Sequence, residues 1–279
     1  MATDIQSGPL GEFRAASTAG GGTALTTTAT CIALSLNAHH AFLTPRNFAG
    51  AVVAKVAFNP WLTILKTSDN LATPPVDYSE AAQDGDASVD VVLSDFDTLA
   101  NGDFLLIGSH MPFRGVLIDI DGANAGAASV LTVTYWNGTA WVTTSATDGT
   151  TSGGVTMAVD GAVTWTVPAP WKAESLQGIF AKVGPADCAP FKNPNLTIPY
   201  AEKMYWTRWV TDVVFDASTT ANSMLALNRS TAYGELLAGQ VHERRLHRGL
   251  GGFGCVEALT DAGTANLIVN VDSGNGGRF

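Results

Sequence analysis

One short run in the middle of the chain restricts its fold more than any other feature. Leu131, Val133 and Tyr135 alternate with Thr132 and Thr134, an Asn137-Gly138 pair interrupts the run, and Trp141 and Val142 return from it. Alternation with a period of two gives an extended strand one apolar and one polar face, a pattern foreign to a helix. Asn-Gly accepts the positive φ angles of a tight turn between antiparallel strands. The signal recurs where Val155, Met157 and Val159 lead to Asp160-Gly161, and Val163, Trp165 and Val167 lead away until Pro168 and Pro170 end the run. Both segments read as β-hairpins.

Further strand-like runs lie on either side. Residues 104–107 and 116–120 precede the hairpins, and Tyr205-Trp206-Thr207-Arg208-Trp209-Val210 and Val213-Val214-Phe215 follow a proline-containing loop at 184–199. So many short strands in one stretch imply an antiparallel sandwich or jelly roll over residues 81–230. Upstream, Ile32, Leu34 and Leu36 alternate, Val52, Val53 and Val56 follow Gly50, and Trp61-Leu62-Thr63-Ile64-Leu65 follows Asn59-Pro60. Thr73-Pro74-Pro75 and the acidic turns through Asp84-Gly85-Asp86 place a boundary near residue 80. Near the carboxyl end, residues 233–246 permit an amphipathic helix or two strands, the strands being preferred, and residues 255–259 and 267–271 flank Asp261-Ala262-Gly263 as a third hairpin. These terminal strands are expected to pair with those of residues 32–66. The expected fold class is therefore all-β: a sandwich over 81–230 inserted into, or following, a second β domain built from residues 30–80 and 231–279. Residues 1–29 contain Gly20-Gly21-Gly22 and Thr26-Thr27-Thr28, offer little to bury, and read as a flexible arm.

Composition narrows the function classes. The 279 residues, 46% of them hydrophobic, suffice for a full core, and only 14% are charged against roughly 25% in ordinary soluble domains. Fifteen basic against 25 acidic residues give a net charge of -10, which repels nucleic acid and anionic membranes. The most apolar stretch, residues 48–58, carries Lys55 and is far shorter than the ~20 residues that cross a bilayer as a helix. A polar amino terminus without a leader-like apolar segment implies synthesis for a cytoplasm. Cys31, Cys188 and Cys255 lie far apart and form neither a zinc motif nor an oxidised framework.

No chemical constellation stands out. His242-Glu243-Arg244-Arg245-Leu246-His247 spaces its histidines by five, whereas one helical face needs four. His39-His40 would point to opposite faces of a strand. Asp119, Asp121 and Asn124 surround Gly122 as in a calcium loop, but lack the later bidentate glutamate, and the same residues suit a β-turn. Asp95 and Asp97 lack any second group that would make them a glycosidase pair. No catalytic residue, cofactor site or metal site is expected.

The runs Tyr135-Trp136-Asn137-Gly138, Gly161-Ala162-Val163-Thr164-Trp165 with Trp171, and Tyr205-Trp206-Thr207-Arg208-Trp209 resemble a galactose-binding-like jelly-roll module of tailed-bacteriophage virion proteins. The resemblance spans roughly residues 85–230, and its signature positions are Tyr135, Trp136, Trp165, Trp206 and Arg208. It implies a non-enzymatic particle component, such as a capsid decoration or a neck or tail accessory, made in a host bacterial cytoplasm and resident in the virion. Other capsid or tail proteins would be its partners, and a homo-oligomer, a trimer foremost, its working form. Trp136, Trp141, Trp165, Trp171, Trp206 and Trp209 read first as core packing and strand registration; the alternative is a carbohydrate-binding or adhesin module for host glycans, with Trp136, Trp141 and Trp171 as stacking platforms.

Overall fold

The computed structural model describes residues 13–15, 22–34, 40–85, 91–183, 201–246 and 252–272. Strand accounts for 48% and helix for 5%, which establishes the all-β, antiparallel sandwich class. The chain forms two compact units, Met1–Asn59 with Thr231–Phe279, and Pro60–Ser230.

In the terminal unit one sheet runs in the order Phe13–Ala15, Thr264–Asp272, His40–Ala49, His242–Arg245, with Thr23–Leu25 also paired to Thr264–Asp272. The other runs Gly234–Leu236, Ala54–Pro60, Phe253–Thr260, Thr30–Ala33. Leu43, Leu267 and Val269 of the first sheet meet Ile32, Val56 and Val256 of the second in one core, so the two sheets pack face to face. Inside this sandwich Glu257 is fully buried; Asn59 Nδ2 donates to one carboxylate oxygen at 3.0 Å and the Tyr233 hydroxyl to the other at 2.6 Å. A buried carboxylate without donors would cost several kcal/mol, so these two residues, one on each chain segment entering the unit, fix the register of the segments.

The central unit has three layers. One sheet is ordered Trp141–Thr143, Leu131–Trp136, Met204–Thr211, Phe104–Ser109, Thr63–Thr67, Val76–Asp77; the other is ordered Thr147–Asp148, Gly161–Thr164, Gly115–Ile120, Thr220–Leu227, Val91–Val92. Between them lie Ile107, Val133, Val116, Ile118, Met224 and Trp209. Alternation sends the next residues, Phe104, Leu106, Trp136 and Trp206, to the opposite face of the first sheet, where Leu176, Ile179 and Phe180 of the helix Leu176–Val183 cover them. The sheet is thus apolar on both faces, which a simple polar-out pattern does not anticipate.

Several expectations change in detail. The boundary falls at Asn59 and Pro60 rather than near residue 80, because Thr63–Thr67 pairs with Phe104–Ser109 in the central sheet. Where residues 1–29 are described they are not a free arm: Phe13–Ala15 and Thr23–Leu25 pair with Thr264–Asp272, and Leu25 is buried. Trp136 pairs with Trp141 as the first hairpin requires, but the loop spans residues 137–140, and Asn137 Oδ1 accepts the Thr139 and Ala140 N–H groups at 2.9 Å each. Asp160-Gly161 is not a hairpin turn. Residues 155–159 form no strand, since Thr150 binds the Met157 N–H and Asp148 binds Thr150, Thr151 and Thr156, while Gly161–Thr164 pairs with Gly115–Ile120 and Thr147–Asp148. The expected carboxyl-terminal hairpin is an arch, because Phe253–Thr260 and Thr264–Asp272 belong to different sheets. Residues 233–246 do contain two strands, Gly234–Leu236 and His242–Arg245.

Gly108 faces Trp206 across the Met204–Thr211 and Phe104–Ser109 pair, and a Cβ on it would stand 2.5 Å from the indole ring. A missing side chain here is the room the ring needs. Gly108→Ala is expected to destabilise the central unit by about 1–3 kcal/mol, the usual result of overfilling a packed core, as read from chemical denaturation. A stability unchanged from the parent protein would show that Trp206 shifts freely.

Candidate functional site

The outer face of the first central sheet carries a recess of about 600 Å³ lined by Asn70, Leu99, Phe104, Trp141, Phe180 and Arg208, with Ala140 and Val183 at its margins. Its position follows from strand alternation: Met204, Trp206 and Arg208 point outward from Met204–Thr211, and the helix Leu176–Val183 covers the first two but not the third. Arg208 lies over the Trp141 ring, guanidinium carbon 5.2 Å from the centroid. Among the described residues it has no carboxylate partner, its Nε is buried without an acceptor, and burial pushes its pKa below the ordinary value. Trp141 Nε1 and Trp136 Nε1 are likewise buried and unsatisfied. Nearby Lys182 differs: its Nζ donates to Glu174 Oε2 at 3.2 Å while sitting 5.7 Å from the Trp136 ring.

The signature residues divide between the two cores that this sheet separates. Tyr135 and Trp165 face the core between the sheets; Trp136, Trp206 and Arg208 face the helix side. Of the three candidate stacking residues, two are withdrawn from any ligand. Trp136 is fully buried and Trp171 is 5% exposed. Trp171 is the hub of an aromatic cluster, 5.3 Å from Phe113, 5.8 Å from Tyr205 and 6.5 Å from Trp165, and its Nε1 donates to the Trp206 carbonyl at 3.1 Å. Aromatic area of that size stabilises more inside than on a sugar-facing surface. Only Trp141 stays half-exposed, and Arg208 covers one of its faces. Sequence reasoning missed the recess because Phe104, Phe180 and Asn70 lie far apart in the chain; an arginine in an otherwise apolar and aromatic strand was its one visible sign.

The remaining motifs are absorbed by the fold. Asp121 accepts from Thr220 Oγ1 at 3.3 Å and Asp119 from Asn222 at 3.4 Å, while Asn124 is buried, donating to the Thr156 carbonyl and accepting the Gly126 and Asp216 N–H groups. Asp97 binds the Thr98 N–H and Asn101 Nδ2, bracing the 3-10 turn Leu99–Asn101, and Asp95 adopts a left-handed φ of 55°. His40 Nδ1 meets Glu243 Oε1 at 2.9 Å, and His242 is exposed on an edge strand. Cys31 is half-buried and Cys255 buried. His39, His247 and Cys188 lie outside the described residues. Among the described residues, no cluster of three or more His, Cys, Asp or Glu is arranged to hold a metal, and no helix is long and apolar enough to cross a membrane. A second recess, about 360 Å³, lies in the terminal unit beside Phe58, His242, Arg244 and Phe253.

No family model, curated protein or solved structure matches the chain. The fold and its recess therefore define a class only: an all-β protein of two antiparallel sandwiches, one of which carries a cation against an aromatic wall.

Asp216 ties the 119–124 segment in place. Its Oδ2 accepts the Ala125 N–H and its Oδ1 the Ser218 N–H and hydroxyl, and these bonds, the Ala125 one foremost, lower its pKa from 3.8 to about 2. Folding favours the charged form, so the stability it adds is present above pH 3.8 and is lost as pH falls through about 2. Asp216→Asn is expected to lower the thermal midpoint at about pH 6, with the gap to the parent protein closing toward about pH 2. A gap independent of pH would mean that the carboxylate charge contributes nothing.

Proposed function

We propose that the chain is a non-enzymatic structural component of a bacteriophage particle that works by protein-protein assembly. The observation that carries this reading is the loop between Gly234–Leu236 and His242–Arg245. Those two strands are edges of the two terminal sheets, and among the described residues neither has a pairing strand on its far side. The loop joining them exposes two large apolar side chains, Leu237 at 57% and Val241 at 61%. Open strand edges bordered by exposed apolar groups are what another chain pairs with or covers.

Two further facts support assembly over catalysis. The polar residues that would make a reaction centre serve turns and inter-strand bonds instead, as Asp97, Asp148, Asp216 and Asn124 do. A low density of charge leaves surface that can be dried without leaving ions unpaired. The occupants proposed for the terminal unit are further copies of the chain and other capsid or tail proteins, with a trimer as the working oligomer and the virion as its location.

Replacing Leu237 and Val241 together by Lys is expected to abolish self-association in sedimentation at micromolar concentration and to reduce recovery of the chain in purified particles. Exposed substitutions of this kind alter stability by no more than about 0.5 kcal/mol, so the thermal midpoint serves as the folding control. A parent protein that sediments as a monomer and is missing from particles would overturn the reading.

A further inference from the structure

We propose that the recess formed by Arg208, Trp141, Phe104 and Phe180 is a binding subsite for a carboxylate carried on an apolar body. The argument begins with what Arg208 lacks. A guanidinium presents five N–H donors in a planar fork that matches a carboxylate, yet among the described residues this one has neither an acid nor a carbonyl acceptor. Its Nε is shut off from water, and Trp141, whose ring it overlies, holds a second buried donor without an acceptor in Nε1. Unsatisfied buried donors carry a desolvation penalty of about 1–3 kcal/mol each, more when charged. Such a penalty is seldom kept where nothing offsets it. An anion in the recess meets the guanidinium through its Nη groups, which are not among the buried atoms, and its charge offsets the desolvation of the whole group.

The rest of the lining specifies what the anion is attached to. Phe104, Phe180, Leu99 and Val183 are apolar, and among the described residues Asn70 is the only polar neighbour besides Arg208. Multiply hydrated ligands such as free phosphate or a neutral sugar would leave most of their hydroxyls or oxygens facing hydrocarbon. Sugar stacking is further opposed because the guanidinium already lies on Trp141. A volume of about 600 Å³ falls within the range of small-molecule sites. One anionic group on a compact hydrocarbon or aromatic body fits both halves of the lining. This subsite lies in the central unit, so it stands or falls apart from the assembly loop at Leu237 and Val241.

The test uses the full chain, titrated with phenylacetate and hexanoate, each paired with its neutral amide, with binding followed by calorimetry and by the quenching of tryptophan emission. Saturable binding of the acids is expected, with the amides at least about tenfold weaker, equivalent to ~1.4 kcal/mol. Arg208→Met should abolish binding while holding the thermal midpoint at or above that of the parent, since an apolar replacement for a desolvated charge is often neutral or stabilising. Arg208→Lys should bind in between, keeping the charge without the planar fork, and it carries the test if the Met variant fails to fold. Three outcomes would overturn the proposal: no saturation by either acid up to about 10 mM, well beyond the ~1 mM affinity of a weak single subsite; equal binding of acid and amide; or binding unchanged in the Arg208 variants. Binding of glucuronate with neither apolar acid bound would also overturn it, in favour of a saccharide site.

Discussion

The strand Met204–Thr211 is the member on which the central unit depends. It pairs with Leu131–Trp136 on one side and Phe104–Ser109 on the other, and its alternating side chains enter two different cores. Tyr205 and Trp209 pack between the sheets, while Met204 and Trp206 pack beneath the helix Leu176–Val183. Its tryptophans also act as polar struts, Trp206 Nε1 reaching the Glu174 carbonyl at 3.0 Å and Trp209 Nε1 reaching Thr207 Oγ1 at 2.9 Å. Because a shift by one residue would exchange the two faces, and both faces are buried, the register of this strand is fixed from both sides.

Arg208 is where that rule ends. The residue has the outward phase of Met204 and Trp206, but the helix stops short of covering it, and a charged group stands at the edge of an apolar layer. The same geometry that makes the sheet rigid thus leaves Arg208 stacked on Trp141 and, among the described residues, without a counter-charge. Rigid strands are better supports for a binding group than loops, and the Arg208 side chain rises from the centre of such a sheet.

Much of this was legible in the sequence. Alternation located Leu131–Trp136, because a strand with one face buried repeats every two residues; Phe104–Ser109 and Met204–Thr211 were read from apolar and aromatic runs, and residues 233–246 permitted a helix or two strands, of which the strands form. What sequence misjudged was connection. Asp160-Gly161 has the chemistry of a hairpin turn, but Asp148, Thr150 and Thr156 gather the preceding residues into a hydrogen-bonded loop, a long-range outcome that local propensity does not encode. Asp261-Ala262-Gly263 was equally ambiguous, since a hairpin and an arch between sheets use similar turn residues. The candidate site was half-visible: Arg208 and Trp141 stood out as residues, whereas their meeting with Phe180 and Asn70 required the folded sheet. The tryptophans read first as core and only second as stacking surfaces, and burial of Trp136, Trp165, Trp171, Trp206 and Trp209 agrees with the first reading.

The division of the chain has a consequence for the order in which the protein matures during synthesis. Pro60–Ser230 is continuous and holds all the strands of its own two sheets, so it is able to close as soon as it leaves the ribosome. The terminal sandwich is split around it in sequence, and His40–Ala49 and Ala54–Pro60 find their neighbours Thr264–Asp272 and Phe253–Thr260 only after the whole central unit has been made. At about 5–20 residues per second, those early strands spend many seconds with open edges. Glu257, the buried acid that binds Asn59 and Tyr233, is made 198 residues after Asn59. The surface proposed for assembly is therefore completed only after the central unit has been made, which keeps shorter nascent chains from associating.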